Sequence, residues 1–180
     1  MKKLGILYSV LVIYCSSFSQ KNITTKTGTI FFEASIPAFE EVKGNNNNVS
    51  CVINIATGEI STLAFITEFN FKMAMMQEHF NTNYLESHKY PKATFKGIIQ
   101  GFNMAIIGNS PKEFVMTGKL SMHGKSKMIT TIAMIQKKER GLQIATNFKV
   151  KTNDFRINIP KIIQNKIDET VTIKTTFLML

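Results

Sequence analysis

Segments in which apolar and polar residues alternate recur along this chain, and they limit its fold more than any other feature. They cover residues 29–34, 49–56, 59–71, 93–101, 113–122, 128–136, 142–150 and a last segment around 171–177. A period of two is typical of a strand with one buried face. Turn-forming pairs such as Thr57-Gly58 and Arg140-Gly141 separate the segments, whereas Gly44–Asn48 predicts a loop. About eight short strands at near-regular spacing predict an antiparallel barrel or sandwich.

One segment between two predicted strands has helical spacing instead. Met73, Met76, Phe80 and Tyr84 follow one another at i, i+3, i+7 and i+11, which places them on one face of a helix. A short amphipathic helix must cover an apolar surface, and the mouth or flank of the sheet is the available one. We therefore predict a helical lid over an apolar interior, an arrangement suited to binding.

The start of the chain is typical of an export signal. Two lysines precede the apolar run Leu4–Tyr14, which is too short to span a bilayer, and small residues follow as far as Ser19. We expect cleavage after Ser19, which leaves residues 20–180 as a single domain of an exported protein, periplasmic or secreted. Cys15 fits a lipoprotein signal less well, because Tyr14 is bulkier than the small residue usually found there.

The chain is basic, with 22 Lys and Arg against 12 Asp and Glu and a formal net charge of +10. Two explanations stay open: transient contact with an anionic membrane surface, and lysines that protect strand edges and keep the protein soluble. Nucleic acid is not predicted as a partner, because the protein is expected to be exported, Trp is absent and the charges are scattered. The oligomeric state is open, with a dimer as one option.

Residues that could carry chemistry are few and poorly spaced. The histidines His79, His88 and His123 form no i, i+4 pair, and no Cys-x-x-Cys spacing accompanies them, so we predict no metal site. Motifs for a nucleophilic serine or a phosphate-binding loop are absent, and Cys51 falls on the apolar side of its strand. We therefore predict no catalytic residue and no enzymatic activity.

Three stretches resemble a known family. His79–Gly97 is similar to the signature of the YceI-like, polyisoprenoid-binding family of exported bacterial proteins, and Gly118–Lys127 and Asp154–Ile157 resemble two further segments of that family. The chain departs from the family pattern at His88, Met128 and Arg156. The resemblance implies a lipocalin-like antiparallel β-barrel with one short helix and a lipid-type ligand.

The apolar faces of the predicted elements supply the candidates for a ligand cavity. They are Phe65, Phe69, Met73, Met76, Phe80, Tyr84, Phe95, Phe114, Met116 and Leu120. The leading hypothesis is a lipid-binding protein that transports, stores or sequesters a long-chain apolar ligand. The resemblance implies no cofactor other than a bound isoprenoid or isoprenoid quinone. The alternative is an envelope interaction or stress-related protein whose barrel is filled by its own side chains.

Overall fold

The computed structural model describes residues 22–36, 41–161 and 167–180, which form a closed antiparallel barrel of eight strands. The strands are β1 Asn22–Ser35, β2 Lys43–Asn54, β3 Glu59–Phe65, β4 Lys92–Ile99, β5 Lys112–Met122, β6 Lys125–Lys138, β7 Gly141–Lys151 and β8 Ile167–Met179. Each strand pairs with the next along the chain, and β8 closes the barrel against β1. The predicted lipocalin-like barrel is confirmed. The predicted signal peptide, its cleavage after Ser19 and Cys15 lie outside the described residues.

The up-and-down order gives the barrel two different ends. The connections β1–β2, β3–β4, β5–β6 and β7–β8 lie at one end, which we call the lid end. The connections β2–β3, β4–β5 and β6–β7 lie at the opposite end. The described part of the chain contains no helix that is both long and apolar enough to cross a membrane.

The expectation of a loop at Gly44–Asn48 is wrong, because this stretch belongs to β2. Its backbone pairs with β1, and Asn46 is fully buried. The Asn46 amide Nδ2 donates to the carbonyl of Phe65 at 3.1 Å, and its Oδ1 accepts from the backbone N–H of Asn48 at 2.8 Å. Long-range pairing and these side-chain hydrogen bonds therefore override the local preference of asparagine for turns.

The third strand is shorter than predicted, and this changes which residues face inward. β3 ends at Phe65, and a single 3₁₀ turn, Ile66–Glu68, follows it. Ala64 and every second residue before it point inward, so Phe65 points outward and is 39% exposed. The turn interrupts the alternation and returns Phe69 to the interior, where it is buried. The prediction that Phe65 and Phe69 share one strand face is wrong for this reason.

The predicted helix is present but short. The α-helix α1 spans Ala74–His79 and widens into a π-helical turn, Phe80–Tyr84, in which the N–H of Leu85 bonds to the carbonyl of Phe80 at 2.9 Å. Met73 precedes α1 with an extended backbone, so it is not part of the predicted helical face. We call residues 73–90 the lid segment.

The opposite end of the barrel is filled by its own side chains. Large apolar residues there are at most 2% exposed: Ile53, Ile99, Ile107, Ile135, Leu142, Ile144 and Met179. Phe114 is buried in the same half, where its ring centroid lies 6.3 Å from that of Phe102. None of these residues lines the interior cavity of the described barrel, which lies toward the lid end.

Candidate functional site

The lid-end half of the barrel contains an apolar cavity of about 200 Å³. Inward-facing residues of the strands form its wall, and the lid segment and the 3₁₀ turn Thr152–Phe155 contribute to it. Six of the ten predicted residues line the cavity: Phe69, Phe80, Tyr84, Phe95, Met116 and Leu120. The structure thus brings together side chains from β4, β5 and the lid segment that the sequence had placed on separate apolar faces.

The other four predicted residues lie elsewhere, and their expected place in the cavity wall is corrected. Phe65 is on the outer surface, where the Nζ of Lys92 lies 5.4 Å from its ring centroid. Met73 is 40% exposed. Met76 lies in a separate surface groove beside Phe71. Phe114 is buried, but it packs at the filled end of the barrel, away from the cavity.

An aromatic cluster holds the lid segment on the barrel. The Phe80 ring stacks on Phe32 of β1, with centroids 5.4 Å apart and planes 18° apart. It also meets Phe69 at 5.6 Å and Phe71 at 4.9 Å, in tilted contacts. Such pairs are favourable beyond the area they bury. Phe80 is therefore the side chain by which the lid segment closes the cavity. The rings of this aromatic cluster separate Met76 from the interior.

A pair of glycines on β4 and β5 shapes the cavity wall. Gly97 and Gly118 are direct cross-strand partners, and both lie under the ring of Phe95. A Cβ atom at Gly97 would lie 2.7 Å from that ring, and one at Gly118 would lie 2.5 Å from it. Neither position accepts a side chain while Phe95 keeps this place. The glycines thus allow the ring to lie close against the sheet instead of extending across the barrel.

Several cavity residues were absent from the predicted set. Phe32, Phe148, Ile173 and Phe177 line the cavity from β1, β7 and β8. Alternation in the sequence already placed Phe148, Ile173 and Phe177 on apolar strand faces, so that signal could have found them. Phe155 is fully buried in the cavity wall but lies in a 3₁₀ turn, where a period of two gives no signal.

Polar residues at the cavity are few, and one of them, Lys151, is charged and exposed. Thr146 and Thr175 share a hydrogen bond between their hydroxyl oxygens at 2.8 Å. Thr152 Oγ1 is buried and has no hydrogen-bond partner within the described ranges. Partial burial raises the pKa of the Tyr84 phenol, so this residue is neutral at ordinary pH. Such a wall suits an apolar molecule and offers little to an ionic one.

The residues considered for metal binding or nucleophilic chemistry do not meet in the structure. His79 and His88 are exposed, whereas His123 is engaged by Glu86 and by the backbone of Phe155. Among the residues that the structure describes, no three His, Cys, Asp or Glu side chains are grouped to hold a metal ion. Cys51 is fully buried, and burial raises the pKa of its thiol to about 12, so the reactive thiolate is not formed at ordinary pH.

Comparison with solved structures identifies relatives of the barrel. A polyisoprenoid-binding domain from Saccharophagus degradans implicated in plant cell wall breakdown superposes with a TM-score of 0.73 and 15% identity, over 88% of this chain and 97% of that one. BcnA of Burkholderia cenocepacia gives a TM-score of 0.67 and 18% identity, over 82% and 94%. The YceI protein of Campylobacter jejuni gives 0.59 and 21%, over 79% and 88%. At these identities the similarity establishes the fold.

Sequence comparison establishes the family. None of the curated protein sequences compared with the chain matches it. The sequence model of the YceI-like domain matches residues 22–178, which include the lid segment and the eight strands except Met179, the last residue of β8. A match of this extent makes the chain a member of the YceI-like domain family.

Proposed function

We propose that this protein is an exported lipid-binding protein whose barrel holds a polyisoprenoid or another long-chain apolar ligand. The observation that carries the proposal is the apolar cavity of about 200 Å³ closed by Phe80. A barrel filled only by its own side chains would leave no such space, whereas in the described part of the chain a cavity lies among the side chains at the lid end. The polyisoprenoid binding named for the Saccharophagus degradans domain supports the same ligand class.

The energetics favour a flexible hydrocarbon chain. Burial of each methylene contributes about 0.8 kcal/mol, so ten of them supply roughly 8 kcal/mol, near micromolar affinity before the costs of binding. Phenylalanine rings and the mobile Met116 and Met122 side chains adapt to branched, bent ligands. A bound isoprenoid or isoprenoid quinone fits this wall, with its apolar chain inside the barrel.

Export and membrane contact complete the proposal. The signal-like start of the chain supports a location in the periplasm or outside the cell. Without Lys2 and Lys3 of the signal the exported chain has 20 Lys and Arg against 12 Asp and Glu, and this net charge of +8 favours transient contact with anionic membrane surfaces, where a lipid ligand is exchanged.

Mass spectrometry of an organic extract of the purified protein tests the proposal. We expect a linear isoprenoid in near-equimolar amount. Ala93→Phe should reduce this amount strongly, because Ala93 lines the cavity and a ring there occupies the ligand's space. Thr94→Phe is the matched control, because Thr94 is the next residue of β4 and points outward. Circular dichroism checks that both variants fold.

Two results would contradict the proposal. One is an extract of the wild-type protein without isoprenoid or other long-chain lipid, which would leave the envelope interaction protein as the better explanation. The other is equal lipid in the two variants, which would show that the lipid is bound outside the barrel.

A further inference from the structure

The imidazole of His123 connects three separate parts of the chain at the lid end. Its Nδ1 lies 2.9 Å from the carbonyl oxygen of Phe155, and its Nε2 lies 2.8 Å from Oε2 of Glu86. The edge of the Tyr90 ring packs against it, with centroids 4.8 Å apart. The His123 side chain is 10% exposed, whereas that of Glu86 is 36% exposed, so the imidazole is shielded from water and the carboxylate is partly solvated.

Both ring nitrogens of His123 face oxygen atoms that accept hydrogen bonds. A carbonyl cannot donate, so Nδ1 must carry a proton to bond to Phe155. The bond between Nε2 and Glu86 also needs a proton, which belongs to the imidazolium when the carboxyl group is ionised. The hydrogen bond from His123 holds the pKa of the Glu86 carboxyl below its usual range, which favours that arrangement. When the pair loses this proton, two lone pairs face each other at 2.8 Å.

Each of the three residues joined by these hydrogen bonds lines the cavity or directly follows a residue that lines it. Glu86 follows Leu85, which lines the cavity and is buried. His123 follows Met122, another cavity residue, and Phe155 belongs to the wall directly. The hydrogen bonds therefore join the C-terminal part of the lid segment to the turn between β5 and β6, and through His123 to the 3₁₀ turn Thr152–Phe155.

The backbone of this contact is conformationally unusual. Glu86 has φ = +43° and His123 has φ = +49°, in the left-handed region that most residues avoid. His123 and Gly124 form a two-residue hairpin turn with positive φ at both positions, where asparagine would be the favoured first residue. Glu86 and His123 are thus both held in a disfavoured backbone conformation, and the packing around them must maintain it.

We infer that His123 and Glu86 form a proton-dependent latch that holds the lid segment over the ligand cavity. The latch is closed while both imidazole nitrogens carry protons, and it weakens when the pair loses one. Ligand release is therefore slow at low pH and becomes faster as pH rises. Imidazole is the side chain whose charge ordinarily changes between about pH 5 and 8. This inference rests on the proposed function and names a regulation of the same site.

Several other charged or titratable groups lie around the latch. On the lid segment, Lys89 Nζ lies 4.0 Å from the second carboxylate oxygen of Glu86, and the exposed His88 is close enough to act on that carboxylate. On the side of β6 and the 3₁₀ turn, Lys127 pairs with Asp154. Lys125 starts β6 directly after the turn. Among these groups His88 is a second imidazole, so it requires a control.

Transfer of tritiated solanesol, a linear polyprenol, from loaded protein to excess lipid vesicles measures the latch. We expect wild-type release to become about fivefold faster as pH rises from about 5 to about 8, the size expected for losing one ion pair whose carboxylate is partly exposed. Glu86→Gln should release at a rate independent of pH, because an amide can accept from a protonated ring or donate to a neutral one. His123→Asn, which suits the turn but does not reach Glu86, should release fast at every pH. His88→Gln is the matched control and should keep the wild-type profile.

A second readout separates the latch from the proposed ligand. The measurement is backbone hydrogen exchange of residues 81–90 in the empty protein, with each rate divided by the intrinsic exchange rate at that pH. The corrected rate should rise with pH in wild type, as ligand release does, and should not change with pH in Glu86→Gln. If solanesol does not load but exchange behaves in this way, the lipid proposal fails and the latch stands. Identical pH profiles for wild type and Glu86→Gln, in release or in exchange, would refute the latch. Release of solanesol from His123→Asn at low pH as slow as from wild type would also refute the latch.

Discussion

Two phenylalanines on neighbouring strands allow the hollow and the filled halves of the barrel to be compared directly. Phe95 on β4 and Phe114 on β5 both face inward, and both are 6% exposed. Phe95 lines the cavity, whereas Phe114 packs against Phe102 in the filled half. We predict that alanine at these two positions has different effects on the loaded and the empty protein.

The magnitudes follow from what surrounds each ring. Phe114→Ala leaves a void in dense packing and should cost about 3–5 kcal/mol, equally in both forms. In the empty protein Phe95→Ala enlarges a space that already exists, so mainly the transfer free energy is lost, about 2–3 kcal/mol. In the loaded protein three or so ligand carbons can occupy the vacated volume at about 0.8 kcal/mol each, which reduces the loss to about 1 kcal/mol or less.

Urea unfolding of the solanesol-loaded and the solvent-extracted protein gives these values, with equal m-values required for each comparison. The coupling between substitution and ligand is the difference between the losses in the two forms. We expect a coupling of about 1–2 kcal/mol for Phe95→Ala and none beyond error for Phe114→Ala. No coupling at Phe95 would refute its place beside the ligand, and a large coupling at Phe114 would show that the ligand reaches the filled half.

Three further predictions address export, the lid and metal content. N-terminal sequencing of the mature protein should begin at Gln20, whereas a lipidated Cys15 would show that the protein is anchored. Phe80→Asp should weaken lipid loading at least about tenfold, because an ionised group would replace a ring packed on three others. Met75→Asp on the exposed side of α1 should leave loading unchanged, and equal loading in the two variants would mean that the lid segment does not close the cavity. Elemental analysis of protein purified without a histidine tag should find no stoichiometric zinc, and zinc lost on replacing His123 would overturn this expectation.

The positions where sequence-based prediction failed share one cause, which is competition between local preference and distant contacts. Asparagine favours turns, but Asn46 is held in β2 by pairing with β1 and by its bond to the carbonyl of Phe65. Period-two alternation assigns a face only while a strand continues. The 3₁₀ turn after Phe65 therefore reversed the expected orientation of this residue, although Phe69 was placed correctly.

The sequence by itself determined the strand count, the helix between β3 and β4 and the inward faces of β4, β5 and β7, because these depend on local periodicity. It could not distinguish Phe95 from Phe114, since both occupy apolar positions of neighbouring strands. Strand register decides the height of each side chain along the barrel, and the residues opposite decide whether its surroundings are filled. The contact of His123 with Glu86 likewise joins residues 37 positions apart. These neighbours meet only when strands and lid segment assemble, so the cavity and the latch belong to the tertiary structure.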